Sequence, residues 1–328
     1  MHAFEDNRVV RDTGSLYPIL QSPMNWIARS SLVSAVSAAG ATGMLETTSG
    51  FPAVQGEYDS IRQHTDRPFG INIAIKFIKD RPEVEKAVLD WALDGRVRFM
   101  TTSAGDPRRH VQRIKDAGVT VYHQVASLDG ALKAEDAGVD GLIVEGGESG
   151  GVRAADSVHS FALLQAVRER TRLPIVAAGG IVDGRGMAAA FALGAEGVAM
   201  GTRFVCSFES PVHDNYKHAI VDAASNDSIV APMGAGGRAV IRVLRSPLSE
   251  AVARGEPDVV PAANAIQALY VEGRLDLTFG SAGESAGLIH AVKPVSDIVD
   301  DTIAGFWRQI EHLAGLLERR DEAACVEA

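Results

Sequence analysis

Eight short apolar runs, separated by segments of helical periodicity, succeed one another from near the start of the chain to about residue 223. The candidate strands are 17–21, 43–47, 69–73, 97–101, 119–125, 141–145, 174–178 and 197–200, with helix-like stretches such as 31–39, 83–93, 108–117, 128–137, 160–170 and 185–193 between them. Strands joined by helices lie parallel, because each crossover returns the chain to the same end of the sheet. Eight such units in about 200 residues suit a closed TIM (β/α)8 barrel, an α/β fold. The punctuation agrees: Ala39-Gly40-Ala41, Ala117-Gly118-Val119, Ala137-Gly138-Val139 and Leu193-Gly194-Ala195 each stand between a helix and the next strand. Glycine there supplies a left-handed helix C-cap, so these four glycines are structural and belong to the bottom face.

The chain has 328 residues, 46% of them hydrophobic, enough for one large α/β domain with an appended segment. After residue 224 the strand–helix alternation gives way to Pro/Gly/Ser punctuation, patchy helical periodicity over 262–270 and a long amphipathic stretch over 295–317. The expected organisation is a barrel of residues 14–224 completed by a closing helix at 291–318, a partly helical, lid-like insertion at 225–290 and a tail at 319–328. An insertion after the eighth strand leaves from the face that carries active sites in such barrels.

A formal net charge of −10 offers no attraction to nucleic acid or to an anionic membrane, so a small-molecule partner is expected. Cys206 and Cys325 make neither a disulfide framework nor a metal motif, and no metal is expected. The acidic, polar start does not read as a signal peptide and no apolar run reaches membrane-spanning length, so a cytoplasmic protein is expected. The oligomeric state is left open, with a homodimer among the alternatives.

The exits of the seventh and eighth strands carry glycine pairs, in Leu173-Pro-Ile-Val-Ala-Ala-Gly-Gly180 and in Gly197-Val-Ala-Met-Gly-Thr-Arg-Phe204. Without side chains, main-chain N–H groups can approach a phosphate, and the loops after strands seven and eight are the usual phosphate site of such barrels. The bland alternative is a pair of tight strand-to-helix turns. At the other exits stand Gln21-Ser22-Pro23-Met24-Asn25, Asn72, His123-Gln124 and Glu145-Gly-Gly-Glu-Ser-Gly-Gly-Val152. These amide and hydroxyl groups suit the wall of a heteroaromatic ring; no His/Asp/Cys cluster indicates a metal or a nucleophilic triad.

With these residues the chain resembles the nitronate monooxygenase family (2-nitropropane dioxygenases), which shares its fold with the flavin-dependent enoyl-acyl-carrier-protein reductase II. The resemblance rests on Pro18-Ile-Leu-Gln-Ser-Pro-Met24, Arg67-Pro-Phe-Gly-Ile-Asn72, Glu145-Gly-Gly-Glu-Ser-Gly-Gly151, Ala177-Ala-Gly-Gly-Ile-Val-Asp-Gly184, Met200-Gly-Thr-Arg-Phe204 and Ser281-Ala-Gly-Glu-Ser-Ala-Gly-Leu-Ile289. It implies a flavoprotein oxidoreductase with non-covalent FMN. Matching positions would place Pro23, Met24 and Asn25 at the isoalloxazine edge and Asn72, Gln124 and Glu145 beside the ring or ribityl chain. Gly150, Gly151, Ala178, Gly179, Gly180, Gly201 and Thr202 would line the phosphate end. Arg203, in the same motif, reads as a structural ion-pair residue.

One position departs from the family. Its members commonly carry a histidine, the proposed base or proton donor, where this chain has Val152, whose isopropyl group cannot transfer a proton. Candidates for a substitute are Glu145, Glu148 and His123. Strand alternation turns His123 away from Gln124, and helix capping is the commoner fate of such glutamates. His159, His213, His218 and His290 read as surface or packing residues. The resemblance implies oxidation of alkyl nitronates with O2 to a carbonyl compound and nitrite. Two alternatives remain open: an NAD(P)H-dependent reductase of an enoyl thioester, quinone or other activated alkene, for which Asn215-Tyr216-Lys217 is suggestive, and a flavin-binding protein whose catalytic role has been lost.

Overall fold

The eight expected strands form one parallel sheet that closes on itself. In the computed structural model, which describes residues 3–78, 80–233, 239–256 and 265–326, they are β1 (Ile19–Gln21), β2 (Met44–Leu45), β3 (Gly70–Ala74), β4 (Phe99–Ser103), β5 (Thr120–Val125), β6 (Gly141–Glu145), β8 (Ile175–Ala178) and β9 (Gly197–Met200). Each pairs in parallel with the next, and β9 returns to β1 through Leu20↔Ala199. The seam between β1 and β2 is closed by a parallel bridge from Leu20 to Thr42, with Thr42 N–H donating to Ile19 O at 2.8 Å and Gln21 N–H to Thr42 O at 2.9 Å. The fourth strand begins two residues later than the apolar run suggests, Val97 and Arg98 belonging to the irregular link that follows the turn at 94–96.

The barrel interior is a packed apolar floor. Leu20, Met44, Phe99, Tyr122, Ile143, Val176, Ala178 and Ala199 meet there, with Val9 entering from below on α1 (Arg8–Thr13). Large and small residues alternate to fill it: a Cβ on Gly141 would lie 2.3 Å from the Tyr122 ring, so only glycine lets that ring cross the barrel. Tyr122 in turn donates its hydroxyl to Asp12 Oδ2 at 2.6 Å, which anchors the plug. Side chains of opposite parity, among them Ile71, Val121, Leu142, Val144 and Val198, face the helices in a second, larger core. The four bottom-face glycines take left-handed φ of +73° to +94°, as their position between helix and strand requires.

Three strands outside the barrel are not legible as strands in the sequence. β7 (Gly151–Ala154) follows the β6 exit loop and pairs antiparallel with β11 (Ala239–Leu244), which pairs with β10 (Ser228–Met233). The insertion is thus tied to the loop that leaves β6. Its residues 234–238 and 257–264, the latter including the start of the expected helix at 262–270, lie outside the described residues; the helix is seen as Ala265–Glu272. The last helix runs as Val295–Val326, so the segment expected as a tail from 319 continues the helix, and 327–328 lie outside the described residues. It packs closely on Gly184–Ala192, where a Cβ on Gly184 would stand 2.0 Å from Phe306 N. Among the described residues no helix is long and apolar enough to cross a membrane.

Candidate functional site

Above the apolar floor the inward-facing residues turn polar. The parity that sends Phe99, Tyr122 and Ile143 into the barrel brings Thr101, Gln124 and Glu145 to the same face two residues further along β4, β5 and β6. Asn72 on β3 stands opposite Thr101, which donates its hydroxyl to Asn72 Oδ1 at 2.9 Å. Asn72 Nδ2 makes no hydrogen bond among the described residues. Gln124 donates through Nε2 to Glu145 Oε2 at 2.7 Å. Burial raises the Glu145 carboxyl above the usual range against the Gln124 bond and the positive charge of Arg153, so desolvation wins.

On the opposite side of the mouth lie the glycines. Gly179 and Gly180 take φ of +99° and +73°, and Gly201 ends β9. The main-chain N–H groups of Gly180 and Thr202 donate to no carbonyl of the described residues, while Gly179 follows Ala178, which pairs with Ala199 at the end of the sheet. Thr202 Oγ1 accepts from Gly283 N–H at 3.1 Å, which leaves the hydroxyl proton free to donate elsewhere. Gly150 is glycine for a packing reason: a Cβ would stand 2.9 Å from the Ala282 carbonyl carbon. The 281–289 segment therefore presses directly on the β6 exit loop, and Glu284 N–H donates to Glu148 O at 2.9 Å. Gly151, at φ +92°, opens β7.

The loop after β1 completes the rim. Ser22 N–H donates to Met200 O at 3.0 Å, while Met24 O accepts from Ile27 N–H and Ala28 N–H at 3.1 and 2.9 Å. Pro23 and Met24 are half-buried and Asn25 is exposed. A Cβ on Gly201 would lie 3.5 Å from Met24 Sδ, so this loop and the glycine side of the site are in contact. Trp26 holds φ +67°, a strained region for a bulky side chain, with the Arg29 guanidinium 5.3 Å over its ring. No feature of the sequence marks it.

Of the three substitutes for the missing proton-transfer group, only Glu145 faces the mouth. His123 lies on the outer face of β5, its Nδ1 2.7 Å from Thr102 Oγ1, and burial lowers it to about 4. Glu148 is buried and accepts from Ser160 N–H at 3.1 and 3.0 Å, and from its hydroxyl, at the start of Ser160–Arg168. It anchors a helix. Val152 is 43% exposed and pairs with Ile241 across β7 and β11. His159 and His213 precede helices as N-caps. Arg203 is buried and makes no ion pair among the described residues; it donates to Cys206 O and Ala291 O, each at 2.7 Å, which corrects the ion-pair reading. Tyr216 and Lys217 are buried within Asp214–Val221, Lys217 Nζ lying 3.5 Å from Asp214.

Two further residues escaped sequence reading. Arg242 is buried on β11, where Nε donates to Gly147 O and Nη1 to Ser228 O, both at 3.2 Å, and Nη2 meets Glu284 at 2.8 Å. It pins the β6 exit loop to the insertion. Arg153 follows Val152 on β7, its Nε and Nη1 buried without a hydrogen-bond partner. The alternation of Gly151-Val-Arg-Ala154 was the available signal, too short to stand out. No group of three or more His, Cys, Asp or Glu residues able to hold a metal occurs among the described residues. An apolar floor, an amide wall and a set of free N–H donors can together hold a planar polar ring system carrying a phosphate.

Comparison with known proteins places these features in context. The sequence pattern of the nitronate monooxygenase family matches residues 10–305. A (3aS,4S,5R,7aS)-5-hydroxy-7a-methyl-1-oxo-octahydro-1H-indene-4-carboxyl-CoA dehydrogenase of Rhodococcus jostii is 35% identical over 219 residues; the match spans 66% of this chain and 60% of that protein's length. A "Probable nitronate monooxygenase" of Staphylococcus aureus is 28% identical over 272 residues, covering 70% of this chain and 76% of the relative. Among solved structures, FabK from Thermotoga maritima superposes with a TM-score of 0.86 at 38% identity, over 94% of this chain and 99% of that one.

Proposed function

This chain belongs to the nitronate monooxygenase family, a family of oxidoreductases, and from that premise we propose that it binds FMN and oxidises alkyl nitronates with O2 to a carbonyl compound and nitrite. The observation that carries the reading is the pairing of a polar wall, Asn72, Gln124 and Glu145, with the free donors of Gly180 and Thr202 at one barrel mouth. Pro23, Met24 and Asn25 would border the isoalloxazine edge, and Gly150, Gly151, Ala178 and Gly201 would lie with the free donors at the phosphate end. Bound FMN would supply the electron acceptor.

The protein's own part is to bind, orient and exclude water. Asn72 and Gln124 would present amide groups toward the ring, and Glu145, whose carboxyl burial raises above its usual range, would hold Gln124 in place beside it. Val152 offers no proton acceptor, which suits a substrate that arrives already deprotonated. Nitrite and carbonyl product released in equal amounts from an alkyl nitronate in air, by protein carrying one FMN per chain, would support this reading; FMN-loaded protein that releases neither would refute it.

The CoA thioester in the name of the Rhodococcus relative favours a second reading, an NAD(P)H-dependent reductase of an enoyl thioester or other activated alkene. Steady NAD(P)H consumption with such an alkene, and none with nitronates, would select it.

A further inference from the structure

A bulky side chain in the left-handed region costs free energy and persists only where its surroundings hold it there. Trp26, at φ +67° in the loop after β1, is such a residue, and at 43% exposure its indole is not placed there to fill the core. The loop is held from both sides. Met24 O accepts from Ile27 N–H and Ala28 N–H, and Ala28 O accepts in turn from Glu46 N–H at 3.3 Å, just beyond the end of β2. Side chains repeat that tie. The Arg29 guanidinium lies 5.3 Å from the Trp26 ring centroid and is itself fixed between two carboxylates, Nη2 3.3 Å from Glu46 Oε1 and Nη1 3.6 Å from Glu57 Oε1. Both carboxylates are anchored elsewhere. Glu46 is buried, its Oε2 accepting from the Thr48 N–H and hydroxyl, each at 2.6 Å, and Glu57 Oε2 accepts from Ser30 N–H at 2.7 Å. A mostly buried cation attracts a ring more strongly than an exposed one, and this cation is also held still.

We propose that Trp26 is a positioning residue: its indole, seated on the Arg29 guanidinium, fixes the Pro23-Met24-Asn25 rim against the glycine side of the barrel mouth. Trp26 and the rim belong to one turn. Met24, whose carbonyl closes that turn, is the residue whose Sδ would stand 3.5 Å from a Cβ on Gly201. The strained backbone therefore bears directly on the residues that the FMN reading sets at the isoalloxazine edge, and for the identity of the ligand the inference rests on that reading. A relaxed loop would have to be ordered when the ligand arrives. This one is locked beforehand by the chain from Glu46 through Arg29 to Trp26, so binding loses less conformational freedom.

The test compares wild type with Trp26→Gly, which suits the left-handed backbone but removes the indole, and with Trp26→Phe, which keeps a ring over Arg29. Hydrogen exchange of residues 22–28 is followed in FMN-free protein, and FMN affinity is measured by equilibrium titration. A rim that keeps its bound form in only about a tenth of the molecules lowers the apparent affinity about tenfold, and Trp26→Gly should show a loss of that order. Its exchange at 22–28 should be faster, while its thermal midpoint stays within about 4 °C of wild type. Trp26→Phe should remain near wild type in both readouts, and Glu46→Gln, which keeps the indole but loosens Arg29, should move both in the same direction as Trp26→Gly by a smaller amount. Unchanged FMN affinity in Trp26→Gly overturns the proposal, and so does unchanged exchange at 22–28. Equally accelerated exchange throughout the barrel also overturns it, since the indole would then act on general stability. Wild-type protein that takes up no FMN contradicts the FMN reading instead, and the exchange at 22–28 then decides the positioning role by itself.

Discussion

Gln124 Nε2 donates to Glu145 Oε2 at 2.7 Å, joining neighbouring parallel strands at the level where the barrel interior changes from apolar to polar. The bond has a pH consequence. Burial holds the Glu145 carboxyl above its unfolded value, so the folded protein binds that proton more tightly than the unfolded chain does. Stability contributed by this group is present below the unfolded value and is lost as pH rises through the raised one. Glu145→Gln keeps the shape and removes the titration, so FMN-free variant protein should gain stability relative to wild type at pH 8 and much less at pH 5. Denaturant midpoints of both proteins at the two pH values check this.

Gly201 separates a packing role from a binding role. An added Cβ would make only ordinary contact with Met24 and Ser22, and φ of −102° suits any residue. Gly201→Ala should therefore leave folding stability within about 0.5 kcal/mol. Gly201→Asp should weaken FMN binding far more than Gly201→Ala does, on the order of 100-fold against wild type, by setting a carboxylate beside the phosphate. Equilibrium FMN titration and thermal melts of the apo proteins measure the two effects independently.

Much of the barrel was legible because it repeats one physical unit. Parallel strands buried on both faces read as continuous apolar runs, and glycines at 40, 118, 138 and 194 mark four of the returns from helix to strand. The outward turn of His123 follows from the same period of two that points Gln124 inward. What stayed hidden depends on long-range pairing. β7 is four residues long and becomes a strand only because Ala239–Leu244 comes back to meet it. The fate of Glu148 was equally non-local, since its partner Ser160 lies 12 residues on. Arg153 and Trp26 carry no motif at all; burial and a left-handed backbone single them out.

Val152 predicts how the enzyme treats neutral substrates. A positioned base contributes about 100- to 10,000-fold, and none is available from an isopropyl side chain. Wild-type protein should act on a pre-formed nitronate far faster than on the parent nitroalkane, and Val152→His should raise the rate on the neutral form selectively. Initial rates on freshly dissolved nitroalkane and on equilibrated nitronate, for both proteins, give the comparison. Efficient wild-type oxidation of the nitroalkane would point to Glu145 as the substitute base, because His123 and Glu148 are engaged elsewhere.

The central claim is that a flavin held in this barrel mouth takes electrons from a nitronate. Anaerobic mixing of FMN-loaded protein with an alkyl nitronate, followed by separate mixing with NADH and NADPH, tests it in one spectroscopic experiment. The account predicts rapid loss of the oxidised-flavin absorbance with the nitronate, recovery when air is admitted, and little change with either nicotinamide. Reduction by NADH or NADPH, with the flavin unchanged by nitronate, would contradict it.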